Sequence, residues 1–311
     1  MELQFQFILN GESMSAQTAD IVIVMNPTSG RGKGARIREE LEELLSKYAN
    51  GQTWKIVETR GQRDGIRLAR DAANHGAKVI AAAGGDGTIN EVLNGVMGSD
   101  ATLGILPLGT GNDVARTIGL GTDVALAVKT LFQGRATPTD VGYAKETYFL
   151  NVAGCGFDAA VAERANIGFR KLRGTAAYIA AVLDTLTKFP AAEIDLTVDG
   201  VTTHYKAMMC SIANCKTYGG GMRIAPDADI ADGLLDVCVL KEAGLVEFIL
   251  AFPRVFRGTH TTHPKVVMLQ GKKIHVESSR PLPVLLDGDI FGTTPVTFEI
   301  LPNAIRLMLP A

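Results

Sequence analysis

The 311-residue chain is poor in cysteine, with four, and carries a single tryptophan. Cys155, Cys210, Cys215 and Cys238 form no CxxC pair and match no zinc-ligand spacing. Neither a disulfide framework nor a zinc module is therefore expected; reduced, buried thiols of a cytoplasmic protein are. No uninterrupted run of about 18 apolar residues occurs, so no transmembrane helix is expected. Met1 to Asn10 lacks a basic segment and a continuous apolar core; Leu3, Phe5 and Phe7 alternate as in a strand, not as in a signal peptide. Charge of one sign is not in excess either. A formal net charge of -2 argues against a nucleic-acid partner held by bulk positive charge. The Walker A spacing G-x-x-x-x-G-K-[ST] is missing, and no G-x-G-x-x-G follows the first predicted strand.

What is present is an ordinary globular composition, 46% apolar and 21% charged, in a chain longer than one core usually supports. Two domains are expected. In the first half, strands predicted at Ile21–Met25, Trp54–Val57, Lys78–Ala83 and Leu103–Leu106 alternate with helices. Ile37, Leu41, Leu44, Leu45 and Tyr48 mark one helix, Arg63–His75 another, and Ile89, Val92, Leu93 and Val96 a third. That alternation predicts a layered α/β domain with a parallel sheet, over residues 1–138, with ligands at the carboxyl ends of its strands. After about residue 138 short alternating runs take over. They lie at Tyr148–Ala153, Ile194–Val198, Lys206–Ile212, Leu235–Leu240, Lys265–Leu269, Ile274–Val276, Val296–Ile300 and Ile305–Leu309. Residues 139–302 are accordingly expected to form a mostly antiparallel β domain, with helices near Thr175–Lys188 and Leu245–Phe252. Residues from about 303 to 311 are free to return to the first domain.

Three glycine-rich breaks end three of the first-half strands. They are Asn26 to Gly34, then Gly84-Gly85-Asp86-Gly87-Thr88, then Pro107-Leu108-Gly109-Thr110-Gly111-Asn112-Asp113. A parallel sheet puts those ends on one edge. Glycines let backbone N–H groups approach phosphate oxygens, and a following helix adds a positive dipole end. One such cluster is ordinary turn chemistry; three at the strand ends of one domain point to a phosphate site. Asp86 among them would repel phosphates unless a divalent cation or water stands between, which makes it a candidate Mg²⁺ contact.

Together these stretches resemble the diacylglycerol kinase catalytic family, which includes sphingosine kinases and bacterial lipid kinases. The resemblance is carried by Gly84 to Val92 and Leu106 to Asp113. Further matches are Gly154-Cys155-Gly156-Phe157-Asp158-Ala159, Gly219-Gly220-Gly221-Met222, Pro226 through Asp236, and Leu286-Asp287-Gly288-Asp289. It spans residues 20 to 310 approximately. It implies a two-domain fold with ATP in the cleft between the domains. On that basis Asn26, Thr59, Gly84, Gly85, Asp86, Gly87, Thr88, Ile89, Asn90, Glu91, Gly109 and Thr110 should line the nucleotide site, with Ser29 to Lys33 close to the phosphates. It also implies a second-domain Mg²⁺ site, held by the Asp232 carboxylate and the carbonyls of Asp229 and Leu234; oxygen donors suit that cation. A capped turn before a strand is the alternative for that segment.

The family's base lies in an Asp-Gly-Glu turn, where this chain reads Asp287-Gly288-Asp289. Asp289 is thus the expected base, although it is shorter than Glu by one C–C bond, roughly 1.5 Å. Asp86 and Asp287 are the alternatives, and a plain hairpin turn is a third reading. The resemblance implies an ATP-dependent lipid kinase, peripheral to the membrane, with diacylglycerol as the first substrate to consider. A sphingoid base, phosphatidylglycerol, a prenol, a soluble acceptor such as NAD, or a non-catalytic nucleotide or lipid sensor remain open. The stretch Arg164 to Arg173 interleaves four cations with Ile167, Phe169 and Leu172 and could touch anionic headgroups or be a solvated loop. The edge of the Leu3–Leu9 strand leaves a homodimer open. His260 and His263 form an HxxH that is expected to lie in a loop without metal.

Overall fold

A computed structural model describes residues 19–29, 34–167, 181–182, 184–186 and 188–311. The first strand, β1 (Ile21–Met25), reads Ile-Val-Ile-Val-Met and is buried on both faces, as a central parallel strand must be. It lies between β2 (Trp54–Glu58) and β3 (Val79–Gly84), parallel to both. Next to β3, again parallel, is β4 (Thr102–Pro107). The connecting helices are α1 (Gly34–Tyr48), α2 (Asp64–Asn74) and α3 (Asp86–Val96), then α4 (Asp113–Thr117) and α5 (Val124–Gln133) after β4. The stripe predicted on α3 is realised: Ile89, Val92, Leu93 and Val96 are all buried in the core of this domain.

The second domain is mostly antiparallel. Its strands are β5 (Arg135–Ala144), β6 (Thr147–Phe149), β7 (Val152–Gly156), β8 (Ala192–Val198), β9 (Val201–Ala213), β10 (Leu235–Lys241), β11 (Val266–Gly271), β12 (Lys273–Ser278), β13 (Pro283–Leu286), β14 (Asp289–Thr293) and β15 (Val296–Leu309). Helix α6 (Phe157–Ile167) follows β7, and α7 (Leu245–Ala251) runs into a 3-10 turn, Phe252–Arg257. A continuous ladder reads β14-β13-β7-β9-β8-β12-β15-β4-β3-β1-β2. Its hinge is β15, which pairs antiparallel with β12 through residues 296–299 and parallel with β4 at Arg306 and Leu307.

Two sequence readings change here. The runs Val296–Ile300 and Ile305–Leu309 are one strand, carried through an irregularity between Leu301 and Ile305. Asn303 adopts a φ of 54° there, and its amide donates to Asp140 Oδ1 at 2.7 Å. The run Tyr148–Ala153 is two strands. The amides of Leu150, Asn151 and Val152 turn instead to the Asp287 carboxylate, which breaks the ladder between β6 and β7. Strands β5, β13 and β14 and helices α4, α5 and α6 were not foreseen. All four cysteines are free and buried, as expected. The Leu3–Leu9 strand, Gly30 to Lys33 and most of Arg164–Arg173 lie outside the described residues, as does most of the Thr175–Lys188 helix. Among the described residues no helix is long and apolar enough to cross a membrane.

Candidate active site

The register sets the site. Met25 lies opposite Ala83 and Gly84 opposite Pro107, so the loops after β1, β3 and β4 emerge together at one edge. The Thr88 side chain fills the space over Gly84: a Cβ on Gly84 would stand 2.3 Å from Thr88 Oγ1. That hydroxyl lies 3.5 Å from Asn26 Nδ2, which ties the first loop to the second. Asn26 Oδ1 accepts from the Thr28 amide and hydroxyl at 3.0 and 2.8 Å. Thr59 donates its amide to Met25 O at 2.9 Å and so adjoins Asn26. The second and third loops press backbone on backbone, since a Cβ on Gly109 would stand 2.4 Å from Gly85 Cα. Gly85 caps α3 without a side-chain bond, leaving the first amides of that helix for an anion.

Carboxylates stand beside this cradle. Asp86 Oδ1 accepts from the amides of Asp113 at 3.0 Å and Val114 at 3.4 Å, at the start of α4. Asp113 Oδ2 accepts from Gly220 N at 2.7 Å, while its buried Oδ1 has no partner among the described residues. The two carboxylates converge on Gly111: a Cβ there would lie 2.8 Å from Asp86 Oδ2 and 3.3 Å from Asp113 Oδ2. Burial, and then the nearby Asp113 charge, push Asp86 up to about 6. Burial raises Asp113 as well.

Asp287 and Gly288 form the two-residue turn between β13 and β14, with φ values of 47° and 101°. Both oxygens of Asp287 are saturated. Oδ2 accepts from Asn90 Nδ2 and Leu150 N, each at 2.9 Å, and Oδ1 from Asn151 N at 2.9 Å and Val152 N at 3.1 Å. It is a clamp with no position left for a substrate proton. Asp289 follows at the head of β14 with an exposed side chain. Partial burial still raises its pKa, and Arg63 opposes the rise. The cleft is lined by its neighbours in the turn, Asp287 and Gly288.

Not every residue read from the sequence meets at the cradle through its side chain. Ile89 is fully buried in the core. Asn90 Nδ2 donates to Asp287 and to Tyr148 O. Glu91 turns away to cap α2, accepting from Arg63 N and Gly65 N at 2.9 Å each. Thr110 lines the cleft, with Asp86, Gly111 and Asp113 across from Asn151 and Gly288.

Two family models match the chain in series. Residues 20–144 match the diacylglycerol kinase catalytic domain, and residues 151–309 the YegS C-terminal NAD kinase beta sandwich-like domain. A diacylglycerol kinase of Bacillus subtilis is 32% identical over 292 residues, covering 93% of this chain and 95% of the relative. The chain belongs to the diacylglycerol kinase family. A diacylglycerol kinase of Staphylococcus aureus is 29% identical over 291 residues, covering 93% of this chain and 91% of its own. A crystal structure of a Bacillus anthracis protein described as a putative diacylglycerol kinase superposes with a TM-score of 0.78 at 25% identity, covering 94% of this chain and 99% of that one. Membership makes the chain a phosphotransferase with an alcohol acceptor, and ATP the implied co-substrate.

In this diacylglycerol kinase family member the Asp229 to Leu234 turn is docked by Asp140, whose Oδ2 accepts from Gly233 N at 2.7 Å. Asp229 and Asp232 are exposed and each spends Oδ1 on its own turn, at 3.0 Å to Ala231 N and Leu234 N. Both readings of this segment thus have a footing: the caps are made, and the second oxygen of each carboxylate has no described partner. Asp236 lies buried behind them, pushed up to about 6 by its burial, with the charges of Asp232 and Asp227 adding to the rise. Among the described residues no three His, Cys, Asp or Glu side chains gather as a metal centre. His260 is buried in a 3-10 turn and its Nε2 meets Ile224 O at 3.1 Å.

Sequence reasoning missed Asp113, Asn151 and Tyr218 as site residues. Asp113 had a signal, being the acidic end of the third loop. Asn151 and Tyr218 had none of their own, because tertiary folding alone brings them to the cleft. Tyr218 also lines a second space, an apolar chamber of about 80 Å³ beneath α7, walled by Phe157, Met209, Met222, Phe248 and Phe252.

Proposed function

We propose that the chain is a lipid kinase that moves the γ-phosphoryl group of ATP onto a hydroxyl of diacylglycerol at a membrane surface, giving phosphatidic acid. The observation that carries this reading is the shared wall at Tyr218. A cleft that carries the Asp86 and Asp113 carboxylates and Asn151 adjoins a small apolar chamber. An acceptor with a hydroxyl head and an apolar tail fits the pair; a soluble dinucleotide leaves the chamber unused. The names of the relatives and of the first family model support the same acceptor.

The cradle of Asn26, Thr59, Gly84 to Thr88 and Gly109 to Thr110 takes the phosphates, with the α3 amides facing them. The acceptor oxygen attacks the γ-phosphorus in line. The new O–P bond forms as the bond to the β–γ bridging oxygen breaks, ADP leaves, and the hydroxyl proton passes to the Asp289 carboxylate. Asp86 does not serve as base in this scheme, because its Oδ1 is tied to the start of α4. With Asp113, whose buried Oδ1 has no partner among the described residues, Asp86 would hold a Mg²⁺ that enters with the nucleotide. Mg²⁺ favours one or two carboxylates plus phosphates, and supplies neutralisation of phosphate charge. The open oxygens of Asp229 and Asp232, with the Leu234 carbonyl and buried Asp236 behind, suit a second cation of structural role. We also set the boundary of the nucleotide domain at residue 138, with residues after 302 returning to it along β15.

The test is transfer of labelled γ-phosphate from ATP and Mg²⁺ to diacylglycerol, a sphingoid base, phosphatidylglycerol, a prenol and NAD, with lipids in mixed micelles. Product on diacylglycerol is expected. Asp289→Ala is expected to lower turnover by about 10²–10⁴-fold while ATP binding is retained. Product on NAD alone would sink the lipid reading, and full turnover by Asp289→Ala would remove that residue from the chemistry.

A further inference from the structure

Helix α7 has the sequence Leu-Val-Glu-Phe-Ile-Leu-Ala, apolar at every position but one. Such a helix is normally buried on all sides. This one is covered on one side only. Phe248 and Ala251, with Phe252 and Val255 of the 3-10 turn that follows, wall the apolar chamber. The charged residue, Glu247, lies on that inner side too, 3.8 Å from His263 Nε2. The outer side carries Leu245, Val246, Ile249 and Leu250, exposed by 47%, 71%, 45% and 73%, and Phe256 beyond them by 39%. Of the seven large apolar side chains exposed among the described residues, these are five, all within twelve positions of the chain. A cluster of that kind marks an interaction surface, where single exposed residues would not.

The charges around it select the partner. Arg254 and Arg257 are exposed on the same 3-10 turn and form no ion pair with a described residue. Exposed Arg223 joins them, its amide bonded to Val255 O at 2.9 Å. Of the nearby carboxylates, Glu242 pairs with Lys206 at 2.8 Å and Glu247 lines the chamber, while exposed Asp227, next to Pro226 on Gly258, stands alone against the three arginines. A chain of net charge -2 therefore presents a local cationic rim around an apolar face.

We propose that the outer side of α7 and its 3-10 turn lies on an anionic lipid bilayer, with Val246, Ile249, Leu250 and Phe256 sunk into the headgroup boundary and Arg254 and Arg257 on the lipid phosphates. An interfacial helix has this make-up of apolar side chains and flanking arginines. The choice of a bilayer over a second copy of the chain rests on the lipid-kinase reading. The same helix would then stand between the membrane and the apolar chamber.

Sedimentation of the full chain with vesicles tests this without any turnover, so its failure leaves the kinase reading standing, and absence of kinase product leaves the binding result standing. The wild type is expected to sediment with phosphatidylcholine vesicles containing phosphatidylglycerol, and less with phosphatidylcholine alone. Val246→Glu with Leu250→Glu is expected to weaken binding at least about tenfold. Arg254→Gln with Arg257→Gln is expected to remove the preference for the anionic lipid. Val201→Glu, at an apolar residue 69% exposed on β9, is expected to bind as wild type does. Unchanged sedimentation of the double-Glu variant, or equal loss in Val201→Glu, overturns the proposal. So does a wild-type dimer in gel filtration that the double-Glu variant converts to monomer, since a second copy would then own the face.

Discussion

Asp158 is a carboxyl in apolar surroundings at the start of α6. Ser211 Oγ donates to its Oδ2 at 2.8 Å and the Ala159 amide to Oδ1 at 2.9 Å, yet burial pushes its pKa up to about 7. The folded chain thus holds a proton there that the unfolded chain, near 3.8, has lost at neutral pH. The stability tied to this group is fully present below the unfolded value and disappears as pH rises through about 7. Thermal stability is expected to fall between pH 5 and pH 7, with a slope of at most about 1.4 kcal/mol per pH unit from this site. Asp158→Asn should flatten that slope at a fixed cost of about 1 kcal/mol for the lost hydrogen bond. An unchanged slope, measured by melting across that pH range, would assign the proton elsewhere. Asp158 stands in a motif that was legible as Gly154 to Ala159, but its protonation was not, since burial is no property of a motif.

At the scale of elements, the site is two glycine loops in contact and one uncapped helix start. Gly109 has no room for a Cβ, because Gly85 Cα fills the place. Gly109→Ala is expected to push the loops after β3 and β4 apart, lowering stability by about 1–3 kcal/mol. It should also lower kcat/KM for ATP by about 10²-fold, through displaced phosphate contacts. A variant with wild-type kinetics would mean that the loops move independently. Gly87→Ala is the control for stability alone, since no protein atom stands within 4 Å of a Cβ there. These loops were readable because glycine runs at the ends of apolar strands have one economical explanation. The side-chain directions within α3 were not. Spacing puts Asn90 and Glu91 next to the phosphate loop, but their hydrogen-bond partners, Asp287 and the start of α2, come from other parts of the chain.

At the scale of the molecule, Asp287 joins the two domains: its carboxylate takes one donor from α3 and three from the bend between β6 and β7. Asp287→Asn offers one acceptor in place of two and sets an amide against backbone N–H groups. It is expected to cost about 3 kcal/mol of stability. Turnover should fall as well, because Asp289 is carried by the same hairpin. A denaturant midpoint equal to wild type would show that the domains are held by other contacts. Strand β15, shared between β12 and β4, is the other link. The alternation of strands and helices before β4, the parallel character of the first sheet, the phosphate loops and the family were determined by the sequence itself, because each rests on local periodicity or on a contiguous motif. The tertiary structure alone decided that Asp287 is saturated and Asp289 is not, that Asp113 faces Asp86 across Gly111, and that Tyr218 lines both the carboxylate-bearing cleft and an apolar chamber. Those facts depend on residues far apart in the chain meeting at fixed distances, and burial and hydrogen bonding are properties of the meeting.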